Sequence, residues 1–233
     1  MYRSKFSPSD WKFDEHIADI FDTHIRQSTP FYDEIQRMIV ELANVFIVDN
    51  AIICDLGTAT GEVIYNLNIK NPSRNLTFYA IENSVPMLKK AKLKCEEFEN
   101  VVYINEDINN FIFPQSNLII SVYTLQFINK NNRQDIINKI YDSLEKGGAF
   151  ILCEKIIIDN EFIANSYVKF HHDLKKRNKI SNDKIIEKEN SLINVMYPIT
   201  YEENCHIIQR SGFSTIQTFF QWYNFICIIA IKD

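Results

Sequence analysis

The stretch that decides the fold is Ala51-Ile52-Ile53-Cys54-Asp55-Leu56-Gly57-Thr58-Ala59-Thr60-Gly61. Its first half is an apolar run ending in an acid, the pattern of a strand buried on both faces. Its second half is a glycine-bearing turn that leads into a helical stretch near 61–69. Gly57 can take positive φ or let a ligand approach the backbone, and Gly61 permits close packing where the helix begins. The amides at the helix N-terminus then face whatever the turn holds. The spacing is D-x-G-x-x-x-G, not the G-x-G-x-x-G of dinucleotide enzymes.

Outward from this unit the same alternation continues. Asn75–Glu82, Val101–Asp107, Asn117–Tyr123 and Ala149–Glu154 read as strands two to five, the last following a tight turn at Gly147-Gly148. Helices are expected near 84–97 and 131–145. The alternation predicts a Rossmann-like α/β fold, a doubly wound, mostly parallel, seven-stranded sheet. Upstream, Phe13–Phe21 and Ile35–Phe46 carry apolar residues at helical spacing and form an N-terminal cap over 1–48. Downstream, 159–195 reads as a helical insertion over the active site. Thr200–Arg210 reads as a helix opened by a capping box of Thr200 and Glu203. Ser214–Phe220 and Phe225–Lys232 form a closing antiparallel hairpin at the sheet's end. One domain is expected over 1–233.

Composition narrows the function classes. With 46% hydrophobic and 24% charged residues among 233, the chain is that of an ordinary globular domain. A formal charge of −5 argues against broad binding to nucleic acid backbones. The one basic run, Lys175-Lys176-Arg177, reads as a solvated helix face. Met1–Pro8 lacks a signal-peptide core, and no apolar run reaches the ~18 residues of a membrane span. The five scattered cysteines form no CxxC pair and read as reduced thiols, which suits a cytoplasmic protein. No metal site is expected.

The strand tips carry the cofactor argument. Glu82 stands 21 residues beyond Gly61, where a carboxylate can accept ribose hydroxyls. Asp107 and Ile108 can flank an adenine, the acid accepting from the exocyclic amine. Asp55, Glu82 and Asp107 on adjacent tips would repel a pyrophosphate. They suit a ligand with adenine, ribose and a positive centre, so S-adenosylmethionine is expected. Each acid could instead be a helix cap. Trp11, Phe13, Phe31 and Tyr32 could form an aromatic lid over a sulfonium or pack the N-terminal helices. Adjacent His171 and His172 point to different helix faces, which disfavours joint metal ligation. His16, His24 and His206 read as surface or packing residues.

Phe13-Asp14-Glu15, Gln27-Ser28-Thr29-Pro30-Phe31-Tyr32, Asp55-Leu56-Gly57 and Glu82-Asn83-Ser84 together resemble a known family. Tyr123-Thr124-Leu125-Gln126-Phe127, Cys153-Glu154-Lys155, His171-His172-Asp173-Leu174-Lys175, Asn194-Val195-Met196 and Gln221-Trp222-Tyr223-Asn224-Phe225 continue the match. The family is the carboxy-S-adenosylmethionine synthases, class I methyltransferase-fold proteins of tRNA wobble-uridine modification. The resemblance implies cofactor contacts from Tyr32, Gly57-Thr58-Ala59, Glu82-Asn83 and Asp107-Ile108, with Val122 and Tyr123 at the strand-four tip. It also implies a homodimer and S-adenosylmethionine and prephenate as substrates.

Three features depart from that pattern. Glu189 replaces an arginine that grips the added carboxylate, Val122 replaces an asparagine, and Thr58-Ala59 replaces the usual Cys-Ser after Gly57, with Glu82 a conservative change of the strand-two acid. At ~4 Å and an effective dielectric of ~20, unit charges interact by roughly 4 kcal/mol, so a glutamate would repel what an arginine attracts. The leading expectation is therefore methyl transfer from S-adenosylmethionine to a small-molecule acceptor, with Glu189 and His172 as candidate catalytic groups. The alternatives are the family's own activity and a non-catalytic cofactor-binding protein.

Overall fold

The computed structural model describes residues 13–233; Trp11, one expected lid residue, lies outside them. The strands are β1 (Ile52–Leu56), β2 (Thr77–Ile81), β3 (Val101–Ile104), β4 (Ser116–Val122), β5 (Leu144–Lys155), β6 (Thr215–Trp222) and β7 (Phe225–Ile231). They form one sheet in the order β3-β2-β1-β4-β5-β7-β6. The first five run parallel, and β7 is antiparallel to both β5 and β6. Ile53, Cys54, Leu56, Ile119, Ile120, Phe150 and Ile151 are essentially inaccessible, as strands covered on both faces must be.

Helices α3 (Glu62–Lys70), α4 (Val85–Lys94) and α5 (Lys130–Ser143) alternate with the parallel strands. The strand order reverses between β1 and β4, so a crevice opens beyond their carboxyl ends. Two apolar cores lie on opposite faces of the sheet, one containing Ile35, Ile39 and Ile53, the other Leu56, Ile119 and Phe213.

Two strand expectations are corrected. Gly147 and Gly148 do not precede β5 as a turn; they lie inside it, because β5 starts at buried Leu144 opposite Ser116. The register then jumps to Leu118 opposite Ala149, and Gly147 takes φ of 78° in the irregularity. The backbone of Lys232 holds both glycines. Strand β3 ends at Ile104 rather than Asp107, since Asp107 Oδ1 accepts from the Asn109 amide at 2.8 Å and turns the chain.

The N-terminal cap consists of α1 (Glu15–Ser28) and α2 (Tyr32–Phe46). Helix α2 buries Ile35, Ile39, Val40 and Ala43, whereas α1 buries only Ala18. Ion pairs hold α1: Asp19 to Lys90 at 2.6 Å, Asp22 to Lys94 at 2.7 Å and Arg26 to Glu62 at 2.5 Å. The segment after β5 forms α6 (Glu161–Arg177) and α7 (Asn182–Ser191). Helix α8 (Tyr201–Arg210) starts with the expected reciprocal capping box of Thr200 and Glu203. Cys54, Cys95, Cys153 and Cys227 are buried free thiols. Among the described residues, no helix is long and apolar enough to cross a membrane.

Candidate functional site

The turn after β1 is shaped by two carboxylates. Asp55, at 3% exposure, accepts a hydrogen bond from Thr58 Oγ1 at 2.6 Å. Burial, opposed by that hydroxyl and reinforced by nearby Glu82, pushes its carboxyl up to about 7. Glu82 closes the turn from the next strand. Its Oε2 accepts from the Ala59 amide at 3.1 Å and its Oε1 from the Ser84 amide at 2.8 Å. Burial raises this carboxyl too, and the surrounding backbone amides oppose the rise.

The backbone conformation requires the observed small residues. Gly57 has φ of 67° and Ala59 has φ of 48°. The Gly57 and Thr58 amides donate to Ile81 O at 2.8 and 3.0 Å, binding the turn to the β2 tip. A Cβ on Gly57 would overlap the Thr124 side chain. Gly61, at φ of 82°, caps α3, and a Cβ there would sit 3.2 Å from Ala91 Cβ on α4. The positive φ expected of Gly57 and the helix packing expected of Gly61 are both present.

The other expected cofactor residues surround this turn. Asn83 is exposed beside Glu82, and Asp107 is exposed at the next tip. Asp107 Oδ1 is occupied by Asn109, with its amide at 2.8 Å and its side-chain nitrogen at 2.7 Å. Ile108 is buried in the core shared with Phe111 and Leu125. Val122 is half-buried at the β4 tip. Tyr123 has φ of 57°, and its ring packs edge-on to Phe225 at 6.0 Å in the core, so its backbone is what borders the crevice. Tyr32 is buried at the start of α2 under the Arg26 guanidinium, 5.6 Å from its ring centroid. Burial raises its phenol well above its ordinary value.

These residues fit S-adenosylmethionine. An ionised carboxylate has about four acceptor directions, and two amides leave Glu82 able to accept from a ribose diol. Asp55 lies beside this turn with its carboxyl raised by burial.

The aromatic lid is not one cluster. Phe13 packs edge-on to Phe21 and Phe127 at 6.3 and 5.9 Å, while Phe31 packs on Phe220 at 6.2 Å. The paired histidines do diverge as expected. His171 Nε2 bonds Ser28 O at 2.8 Å, and its ring is 4.9 Å from Phe225. His172 Nε2 instead meets Glu189 Oε1 at 2.5 Å, bringing the two candidate catalytic residues together.

Around that pair lie further basic residues, from the β5 tip and from α6 and α7. Lys175 is 7% exposed, which corrects the expectation of a solvated run; only Lys176 and Arg177 are exposed. Lys155, at the β5 tip, has its Nζ 5.7 Å over the Phe225 ring. Burial, with repulsion from neighbouring lysines, drops both Lys175 and Lys188 to about 8. His24, expected to be a surface or packing residue, is held down at about 4 by burial and by Lys188 and Lys175. A lysine directly after a strand-tip acid was the available signal for Lys155. No sequence signal distinguished Lys175 from its solvated neighbours.

Another missed network pins the insertion. Arg133 and Glu154 are buried with Nη1 and Oε2 3.6 Å apart, and Arg133 Nη2 donates to Tyr197 O at 2.6 Å. The Tyr197 amide in turn donates to Gln126 O at 2.6 Å. The chain following α7 is thereby anchored to the β4 and β5 tips. Among the described residues, no group of three or more metal-ligating side chains occurs.

The doubly wound sheet, with an acid-glycine turn at the point where its strand order reverses, is that of a class I S-adenosylmethionine-dependent transferase. Residues 53–148 match the methyltransferase domain family. The carboxy-S-adenosyl-L-methionine synthase of Staphylococcus epidermidis is 35% identical over 97% of this chain and 99% of its own length. The synthase of that name from Methylococcus capsulatus is 35% identical over 96% of this chain and 94% of its own. The chain belongs to the carboxy-S-adenosyl-L-methionine synthase family.

Solved structures share the fold. A putative S-adenosylmethionine-dependent methyltransferase from Methanococcus maripaludis has a TM-score of 0.61 at 18% identity, covering 99% of this chain and 97% of its own. Human N-acetylserotonin methyltransferase, solved with S-adenosylmethionine, has a TM-score of 0.56 at 15% identity, covering 95% and 60%.

Proposed function

We propose that the chain makes carboxy-S-adenosylmethionine from S-adenosylmethionine and prephenate, the reaction placed second to methyl transfer on sequence grounds. The carrying observation is the Glu189–His172 contact of 2.5 Å. Alone, Glu189 would be an uncompensated negative charge where the resemblance implies a cation. Here the carboxylate is engaged by an imidazole and feels the positive charge of Lys155 and Lys175. A paired carboxylate among lysines does not repel an incoming anion as a lone one does. The identity of 35% along nearly the whole length with a named synthase supports the same reading.

S-adenosylmethionine supplies a sulfonium that acidifies its methyl group, so that one methyl C–H bond is exchanged for a C–C bond to the carboxyl carbon that prephenate gives up. The chain's residues bind and orient it. Glu82 takes the ribose, the Gly57 turn admits the ligand to the backbone, and Asp55 balances a positive centre. Holding the two substrates in one geometry contributes through lost translational freedom already expended on binding. Incubation with both substrates, followed by mass spectrometry of the nucleoside product, tests the reading. A product heavier by one carboxyl group supports it. Unchanged cofactor with prephenate, together with turnover of a methyl acceptor, returns the function to methyl transfer.

A further inference from the structure

We propose that Gln126 is a positioning residue for the cofactor, holding the Tyr123 backbone in the left-handed shape that borders the crevice and, through it, the Thr124 side chain on Gly57. The role concerns how S-adenosylmethionine is seated, whichever group is then transferred.

The chain beyond β4 needs an external hold. Tyr123 has φ of 57°, a conformation costly for a residue with a Cβ, so neighbouring groups must fix it. Both of its backbone polar groups are fixed. The Tyr123 amide donates to Cys153 O at 2.7 Å, and the Tyr123 carbonyl accepts from Gln126 Nε2 at 3.1 Å. The next side chain, Thr124, fills the space that a Cβ on Gly57 would need. The β4 turn therefore rests directly on the β1 turn, and β1 and β4 are the strands between which the crevice opens.

Gln126 is 7% exposed, and all four of its polar atoms are engaged. Its amide donates to Glu154 Oε1 at 3.1 Å, and its carbonyl accepts from the Tyr197 amide at 2.6 Å. Besides the bond from Nε2 to Tyr123, its Oε1 accepts from the Lys155 amide at 3.0 Å. The side chain thus ties the β4 turn to the last residue of β5, a task that requires a donor and an acceptor on one planar group. Buried amides find partners in any core. Here the partner is the carbonyl of a residue at the crevice, which gives the contact a consequence for binding. Glu154 and Arg133 grip the same segment at two points, Glu154 at the Gln126 amide and Arg133 Nε at Ile128 O, 3.3 Å away.

Titration calorimetry with S-adenosylmethionine, well below the Tm of every variant, tests the role. Gln126→Glu keeps an acceptor for the Lys155 amide but sets a carboxylate oxygen against Tyr123 O. We expect its Kd to rise about fivefold or more, the loss of a buried hydrogen bond. Asn204→Ala is the stability control. Asn204 is buried on α8, where its Nδ2 donates to Thr200 O at 3.0 Å. This variant should lose Tm and keep wild-type affinity, which separates positioning from stability alone.

A second pair of variants decides the matter if Gln126→Glu does not fold. Burial pushes the Glu154 carboxyl up to about 8, so a neutral isostere is tolerated near pH 7. Glu154→Gln still accepts from the Gln126 amide and should bind within about twofold of wild type. Glu154→Ala releases Gln126 and should bind several-fold more weakly. Wild-type affinity in folded Gln126→Glu, an equal loss in Asn204→Ala, or equal affinities of the two Glu154 variants would each overturn the role. The product assay on the wild type is independent of these affinities, so failure of the synthase reading leaves this test standing.

Discussion

His172 Nε2 and Glu189 Oε1 lie 2.5 Å apart across the gap between α6 and α7. This contact sets the charge of the region between the two helices. Removing the acid leaves the lysines as the dominant field. Glu189→Gln should therefore tighten binding of carboxy-S-adenosylmethionine by about tenfold, or ~1.4 kcal/mol, with little change for S-adenosylmethionine. The gain should shrink as salt is raised, because Glu189 is 37% exposed at its side chain. Calorimetry at two ionic strengths measures it, and a weaker carboxylated complex would count against the charge assignment.

Glu82→Ala should weaken S-adenosylmethionine binding by about 1.5–3 kcal/mol through loss of charge-assisted ribose hydrogen bonds. The same substitution frees the Ala59 and Ser84 amides that Glu82 now accepts from. Glu82→Gln separates the two effects, since an amide oxygen can still hold one of those amides. Equal affinity of the alanine variant and the wild type would reduce Glu82 to a turn cap.

Gly57→Val should abolish cofactor binding while leaving the sheet folded. The added side chain meets Thr124 in a backbone at φ of 67°. Circular dichroism should remain that of an α/β protein, with Tm lowered by several degrees. Normal S-adenosylmethionine binding by this variant would dislodge the cofactor from the turn.

Asp55 makes a pH prediction whose sign follows from its raised carboxyl. Its folded value of about 7 lies above the ordinary 3.8, so the folded state binds a proton more readily than the unfolded chain. Ionisation of this group therefore costs stability, increasingly between about pH 4 and pH 7, by up to ~4 kcal/mol. Asp55→Asn should raise Tm at pH 8 and change it little at pH 4. A bound cation favours the ionised form, so S-adenosylmethionine binding near pH 7 should release protons from wild type. Calorimetry in buffers of different ionisation enthalpy reads that release; none from wild type would remove Asp55 from the cofactor's charged end.

Much of this architecture was legible in local patterns. The run Ile52–Leu56 followed by Gly57 and Gly61 announced a buried parallel strand feeding a ligand turn, because period, apolarity and glycine placement are short-range properties. The Thr200–Glu203 capping box was equally local. Strand ends were less so: Leu144 opens β5 because Ser116 stands opposite it, a pairing 28 residues away. The site divides in the same way. Asp55, Glu82 and the glycines declared themselves by position at strand tips.

The meaning of Glu189 did not. Read along the chain, it is a negative charge in place of a cation, and Lys175 is one of three adjacent basic residues. Folding brings His172 onto Glu189, buries Lys175 and leaves Lys176 in solvent. The sequence by itself determined the fold class and the acid-glycine turn, through spacings within single structural units, and the family, through motifs matched in order along the chain. The tertiary structure alone decided the electrostatics of the insertion, because a charge acts through its distance to other charges and its access to water, and helix packing sets both.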